Sequence, residues 1–124
     1  ILEYRGWRKG TDPTPERIER KRAGFQLAIS MGVPIVAGGD VGVFTHGDNA
    51  RELDLMVEYG MAPIEVLRSV TEGNAFWLDL PELGALKPQY LADILLIEGN
   101  PAQDIHQLHR IKAVMQNGQW VVKP

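Results

Sequence analysis

Gly32-Val33-Pro34-Ile35-Val36-Ala37-Gly38-Gly39-Asp40 is the stretch on which the reading of this chain turns. Residues 33–37 run without a charge and close on two glycines. Such a run is what a strand buried on both faces looks like. After Asp40 comes Val41-Gly42-Val43-Phe44-Thr45-His46-Gly47, a glycine-punctuated loop, and then a helix. α/β enzymes present catalytic groups in this way, with a carboxylate at the C-terminal end of a buried strand entering a loop. An aspartate in this place can also cap the next helix or steady its own loop. The run predicts a buried parallel strand over 33–37 with Asp40 at its mouth.

Working outward, Thr14-Pro15-Glu16 predicts a helix start, with a hydroxyl N-cap, Pro at the first position and an acid in the first turn. Ile18, Phe25, Ala28 and Ile29 lie on one helical stripe, and Gly32 stops the helix. A second helix is predicted from about Asp48 to Tyr59, striped by Ala50, Leu53, Met56 and Val57 and stopped by Gly60. A third starts near Pro63 and carries Ile64, Leu67, Val70, Ala75 and Leu78, with Pro81 and Gly84 to end it. Helix, strand, helix, helix over 14–80 is one piece of a parallel α/β fold and cannot be a whole sheet.

The tail changes character. Ala92 to Ile97 predicts a strand, Gly99-Asn100-Pro101 a turn, and 111–116 and 119–122 two further strands. Asn117-Gly118 joins them. Both residues tolerate positive φ, which makes the pair a strong signal for a two-residue hairpin.

Composition bounds the function classes. The 124 residues suit one modest domain, and the net charge of -3 offers no basic face for nucleic acid. No cysteine is present, so there is no disulfide framework and no thiolate metal site. No apolar run approaches the roughly 20 residues of a membrane span, and no signal peptide is recognisable. These features fit a cytoplasmic protein. The chain opens Ile-Leu-Glu-Tyr without an initiator Met, as a processed or partial chain would.

Three stretches together resemble the C-terminal third of the amidohydrolase superfamily, in its imidazolonepropionase-like and prolidase-like members. The first is Gly32 to Asp40, like the family's final barrel strand ending in Gly-Thr-Asp or Gly-Ser-Asp. The second is His46-Gly47-Asp48-Asn49-Ala50-Arg51-Glu52-Leu53 followed by Gly60-Met61-Ala62-Pro63-Ile64-Glu65-Val66-Leu67. It is similar to the family's His-Gly…Arg-Glu-Leu loop-helix and its Gly-Met-Thr-Pro…Glu-Ala-Leu helix. The third is Gly84-Ala85-Leu86-Lys87-Pro88-Gln89-Tyr90-Leu91-Ala92-Asp93, then Gly99-Asn100-Pro101. It resembles the Gly-Ser-Leu-Glu-Pro-Gly-Lys-Leu-Ala-Asp signature and the turn after it. Gly39, Ala62 and Gln89-Tyr90 depart from these patterns, and Ala62 gives up a hydroxyl N-cap worth about 1 kcal/mol.

The resemblance implies an α/β fold: the C-terminal segment of a (β/α)₈ TIM-like barrel over 1–83, and the C-terminal strands of an accessory β-sandwich domain over 84–124. It implies a fragment of a metal-dependent hydrolase of C–N bonds, acting on a cyclic amide or a dipeptide of Xaa-Pro type. The cofactor would be a divalent metal, zinc first, as one or two ions whose remaining ligands are not in this chain. Asp40 matches the aspartate that binds metal and accepts a proton from the metal-activated water. His46, six residues on, would contact substrate or else order its own loop. His106 and His109 could share a helical face as a metal pair, but the resemblance puts them in the accessory sheet with surface roles. Arg51 and Glu52 are expected to pack or pair. A barrel takes roughly 250 residues, so the chain should need the upstream part of the same enzyme or self-association. The competing function is a non-catalytic structural or interaction module that keeps the architecture without the site.

Overall fold

Helix α1 (Glu16–Ser30) begins one residue later than its sequence signals suggest. Pro15 itself takes the N-cap position, with φ -58° and ψ 139°, and no side chain caps the helix. The structure is a computed structural model that describes residues 6–40 and 46–124; the loop expected at 41–45 lies outside the described residues. The C-terminal end of α1 follows its sequence closely. Gly32 enters the left-handed region at φ 68° and donates its N–H to Ile29 O, while Val33 N–H reaches Ala28 O. This paired closure satisfies two orphan carbonyls and turns the chain into an extended segment.

The next helical elements are α2 (Ala50–Glu58), α3 (Pro63–Arg68), a π-helical turn (Ser69–Gly73) and α4 (Asn74–Trp77). The same paired bonds that close α1 close α2 at Gly60 and α4 at Asp79, which takes φ 55°. So α4 ends before Pro81 and Gly84. Ala62 heads α3 without a side-chain cap, as expected from its methyl group, and Pro63 takes the first turn.

Residues 33–37 do not form the predicted buried strand. They are extended but pair with no other strand among the described residues, and Val33 and Val36 are each 48% exposed. A parallel strand needs a neighbour's N–H and C=O rows beside it, and the described part of the chain supplies none. Burial nonetheless alternates. Ile35 and Ala37 pack against the core, whereas Val36, Gly38 and Asp40 are exposed. This is the period of a strand with one face covered by helices and the other face bare.

The tail forms the antiparallel sheet its sequence predicts. Strands β1 (Ile94–Ile97), β2 (Ile111–Gln116) and β3 (Gln119–Val122) lie in the order β1-β2-β3. Asn117 (φ 47°) and Gly118 (φ 76°) make the two-residue turn, both with positive φ. The turn docks back on the start of β1: Asn117 N–H donates to the Asp93 carboxylate at 2.7 Å, and Gly118 N–H to Ala92 O at 3.0 Å. Ala113, at the centre of β2, is fully buried.

The core joins the two parts. Leu53 and Met56 of α2 and Val66 of α3 meet Ile105, which is 2% exposed and sits on a 3-10 turn (Ile105–His109) between β1 and β2. Elsewhere the chain is open. It exposes 9144 Å², whereas a compact monomer of 13.8 kDa would expose about 6,600 Å². The excess includes large apolar side chains such as Leu86, Phe76 and Met31.

Candidate functional site

Asp40 ends the extended segment in a left-handed conformation, φ 43°, with its side chain exposed. Aspartate tolerates this region better than most residues because its short side chain is accommodated there. Just before it, Gly38 and Gly39 line a cleft of about 740 Å³ between the helices and the tail sheet. The cleft is walled mainly by apolar groups such as Leu67, Leu83 and Ile94, with Asn49, Glu52, Thr71 and Asp93 as polar members. Asp40 therefore stands beside a concavity without lining it.

Two side chains from the helices take the place of missing strand neighbours. The Asn74 amide bonds Ala37 on both backbone groups: Ala37 N–H donates to Asn74 Oδ1 at 3.1 Å, and Asn74 Nδ2 donates to Ala37 O at 2.8 Å. Asn74 follows directly on the π turn, where the extra residue per turn shifts the helix register. The Glu52 carboxyl, on α2, is pushed above the usual carboxylate range by burial, and a hydrogen bond with the Gly38 backbone offsets this in part. Ala37, three residues before Asp40, is thus held by Asn74 of α4 through both of its backbone groups.

The sequence did not single out Asn74. The available signal was a small polar residue inside an otherwise apolar helical stripe, where asparagine is a poor helix former and must bond something. Glu52 was expected to pack or pair, and it packs against the Asp40 segment.

His46 is exposed in a turn, and its neighbour Gly47 lines the cleft. Nothing in the described residues brings His46 onto Asp40. His106 and His109 do lie on one face of the 3-10 turn, and both meet Asp54 of α2. That trio is the cluster of three metal-binding side chains found among the described residues, and Asp40 is not in it. A catalytic zinc uses about three protein ligands. The described residues bring a single carboxylate to the Asp40 position, so they do not hold a metal there by themselves.

The model of the amidohydrolase family matches residues 13–121. The chain belongs to this family. It is similar to ochratoxinase of Aspergillus niger, 36% identical over 93 residues, which cover 73% of this chain and 19% of the relative. Among solved structures it superposes on a Xaa-Pro dipeptidase with bound methionine in the active site. The TM-score is 0.78 at 34% identity, over 82% of this chain and 25% of that one. A putative prolidase from Bifidobacterium longum gives a TM-score of 0.76 at 31% identity, over 83% and 26%. The chain spans about a fifth to a quarter of the length of these relatives. Helices α1–α4 and the antiparallel tail are the α/β architecture it shares with them.

Proposed function

We propose that this chain is the C-terminal part of a metal-dependent amidohydrolase that cleaves C–N bonds, in which Asp40 is a metal ligand and the proton acceptor. Residues 1–83 would belong to a (β/α)₈ barrel, with 33–37 as its last strand, and 84–124 to an accessory β-sandwich. The observation that carries this reading is the alternation along 33–40. Ile35 and Ala37 face the helices, as the outer face of a barrel strand does, and Val36, Gly38 and Asp40 fall on the bare face that would look into the barrel.

A divalent metal, when bound, supplies a Lewis-acidic centre that makes water acidic enough to react near neutral pH. This chain's part is the proton. The Asp40 carboxylate, within reach of that water, would take its proton and return it to the leaving nitrogen. Gly38 and Gly39 give the backbone room to approach a ligand, and Asn74 and Glu52 fix the strand end. His46 would contact substrate from the loop after Asp40. The substrate class is a C–N bond in a small cyclic amide or in a dipeptide of Xaa-Pro type, in keeping with the dipeptidase and prolidase relatives.

The test is hydrolysis of Xaa-Pro dipeptides and small cyclic amides with added zinc, by the 124-residue chain alone and mixed with the upstream segment of the same enzyme. No turnover by the chain alone and turnover by the mixture are expected. Turnover by the isolated chain that survives Asp40→Ala would place the chemistry elsewhere. A stable monomer that stays inactive with the upstream segment and takes up no more metal than its Asp40→Asn variant would favour the non-catalytic module.

A further inference from the structure

We infer that Asp54, His106 and His109 form a binding site for a borderline transition-metal cation such as zinc, cobalt or nickel, and that this ion ties helix α2 to the tail. The three ligand atoms lie within 4.8 Å of one another. His109 Nε2 is 2.7 Å from Asp54 Oδ2, and His106 Nδ1 is 3.0 Å from Asp54 Oδ1. The two imidazoles stand three residues apart on the 3-10 turn, where side chains at that spacing eclipse. Their rings stack at 26° with centroids 6.4 Å apart, so both present an edge to the same carboxylate.

The site is mounted on anchored elements. Asp54 lies next to Leu53 and two residues before Met56, both buried in the core. The 3-10 turn is pinned by buried Ile105, and Asp104 caps it by accepting from His106 N–H at 3.1 Å. Ligands carried on such elements stay close together in the absence of an ion, and the His109–Asp54 contact, now at hydrogen-bond length, widens when an ion takes the place of the shared proton.

One observation separates this trio from an ordinary ion pair. Among the described residues Asp54 Oδ1 is buried without a hydrogen-bond partner, although His106 Nδ1 stands 3.0 Å from it. A buried carboxylate oxygen without a partner is costly, and a cation placed between the three groups would satisfy it. Two imidazoles with one carboxylate match the preference of zinc, cobalt or nickel, whereas magnesium and calcium prefer all-oxygen sites. His106, with its side chain 71% exposed, leaves the fourth position open to water.

The experiment uses the 124-residue chain without an affinity tag and Co²⁺ alone as the probe, followed by its visible absorption. The expected result is one Co²⁺ per chain, displaced by Zn²⁺. Affinity should fall about tenfold or more in Asp54→Asn and in His109→Gln, while Glu65→Gln, on α3 and outside the trio, binds as the unaltered chain does. Asp54→Asn preserves shape, and far-UV circular dichroism checks that it folds. No saturable binding, or binding unchanged in both Asp54→Asn and His109→Gln, would overturn the site. Neither result bears on Asp40, so this inference and the hydrolytic reading stand or fall separately.

Discussion

Two stretches of this chain read as strands with equal clarity, 33–37 and 111–122, and among the described residues only the second is paired. The hairpin closes through two residues, so each strand brings its partner with it and loop closure costs little. The extended segment needs partners delivered from far along a chain, because parallel strands cannot be joined by a tight turn. A strand's sequence therefore states its wish for neighbours, and the neighbours decide whether a sheet forms. At Ala37 the helices supply a partial substitute: the Asn74 amide bonds both backbone groups in place of a neighbouring strand.

The largest loss is expected at the joint between the two regions. Ile105→Ala removes a tail side chain buried in the cluster with Leu53, Met56 and Val66 and should destabilise the chain by about 3 kcal/mol. Thermal melting checks this, and an unchanged midpoint would mean that the helices do not rely on the tail. Next, Gly118→Val forces a β-branched residue into φ 76°, at a cost of about 1–2 kcal/mol. The loss should appear in exchange of the β2 and β3 amides and leave that of 33–40 alone. Loss of protection in both regions would show them to be one cooperative unit.

Asn74→Ala sharpens the other side. It strips two hydrogen bonds from Ala37, about 1–2 kcal/mol of local stability. The Ala37 amide should exchange faster while the hairpin amides do not change. An unaltered Ala37 rate would remove the clamp from the account. The smallest effect concerns pH. Burial raises the Glu52 carboxyl above its unfolded value, so the folded state holds that proton more tightly than the unfolded chain does. Its cost to stability is absent below the usual carboxylate range and grows as pH rises through the raised value. Glu52→Gln should raise the melting temperature at pH 7, with the gain vanishing under acid conditions. A gain that grows as pH falls would reverse the sign of this argument.

Much of this was legible from residue order. The glycines at 32 and 60 and the Asn117-Gly118 turn act through local backbone geometry, which a short window contains. The helix start at Thr14 failed by one residue because Pro15 can serve as the N-cap with no hydroxyl involved. The pairing of 33–37 was not legible because it depends on distant groups. Asn74 and Asp54 were missed for the same reason: one bonds a segment 37 residues away, and the other meets His109 across 55. Only the folded chain brings them together.

The most direct test of the central claim, that 33–40 is a barrel strand end delivering a catalytic carboxylate, is the turnover of the complete enzyme carrying Asp40→Asn. The account predicts that kcat falls by about 10²- to 10⁴-fold while the protein melts at its usual temperature. Turnover within a few-fold of the unaltered enzyme, in a folded protein, would contradict it.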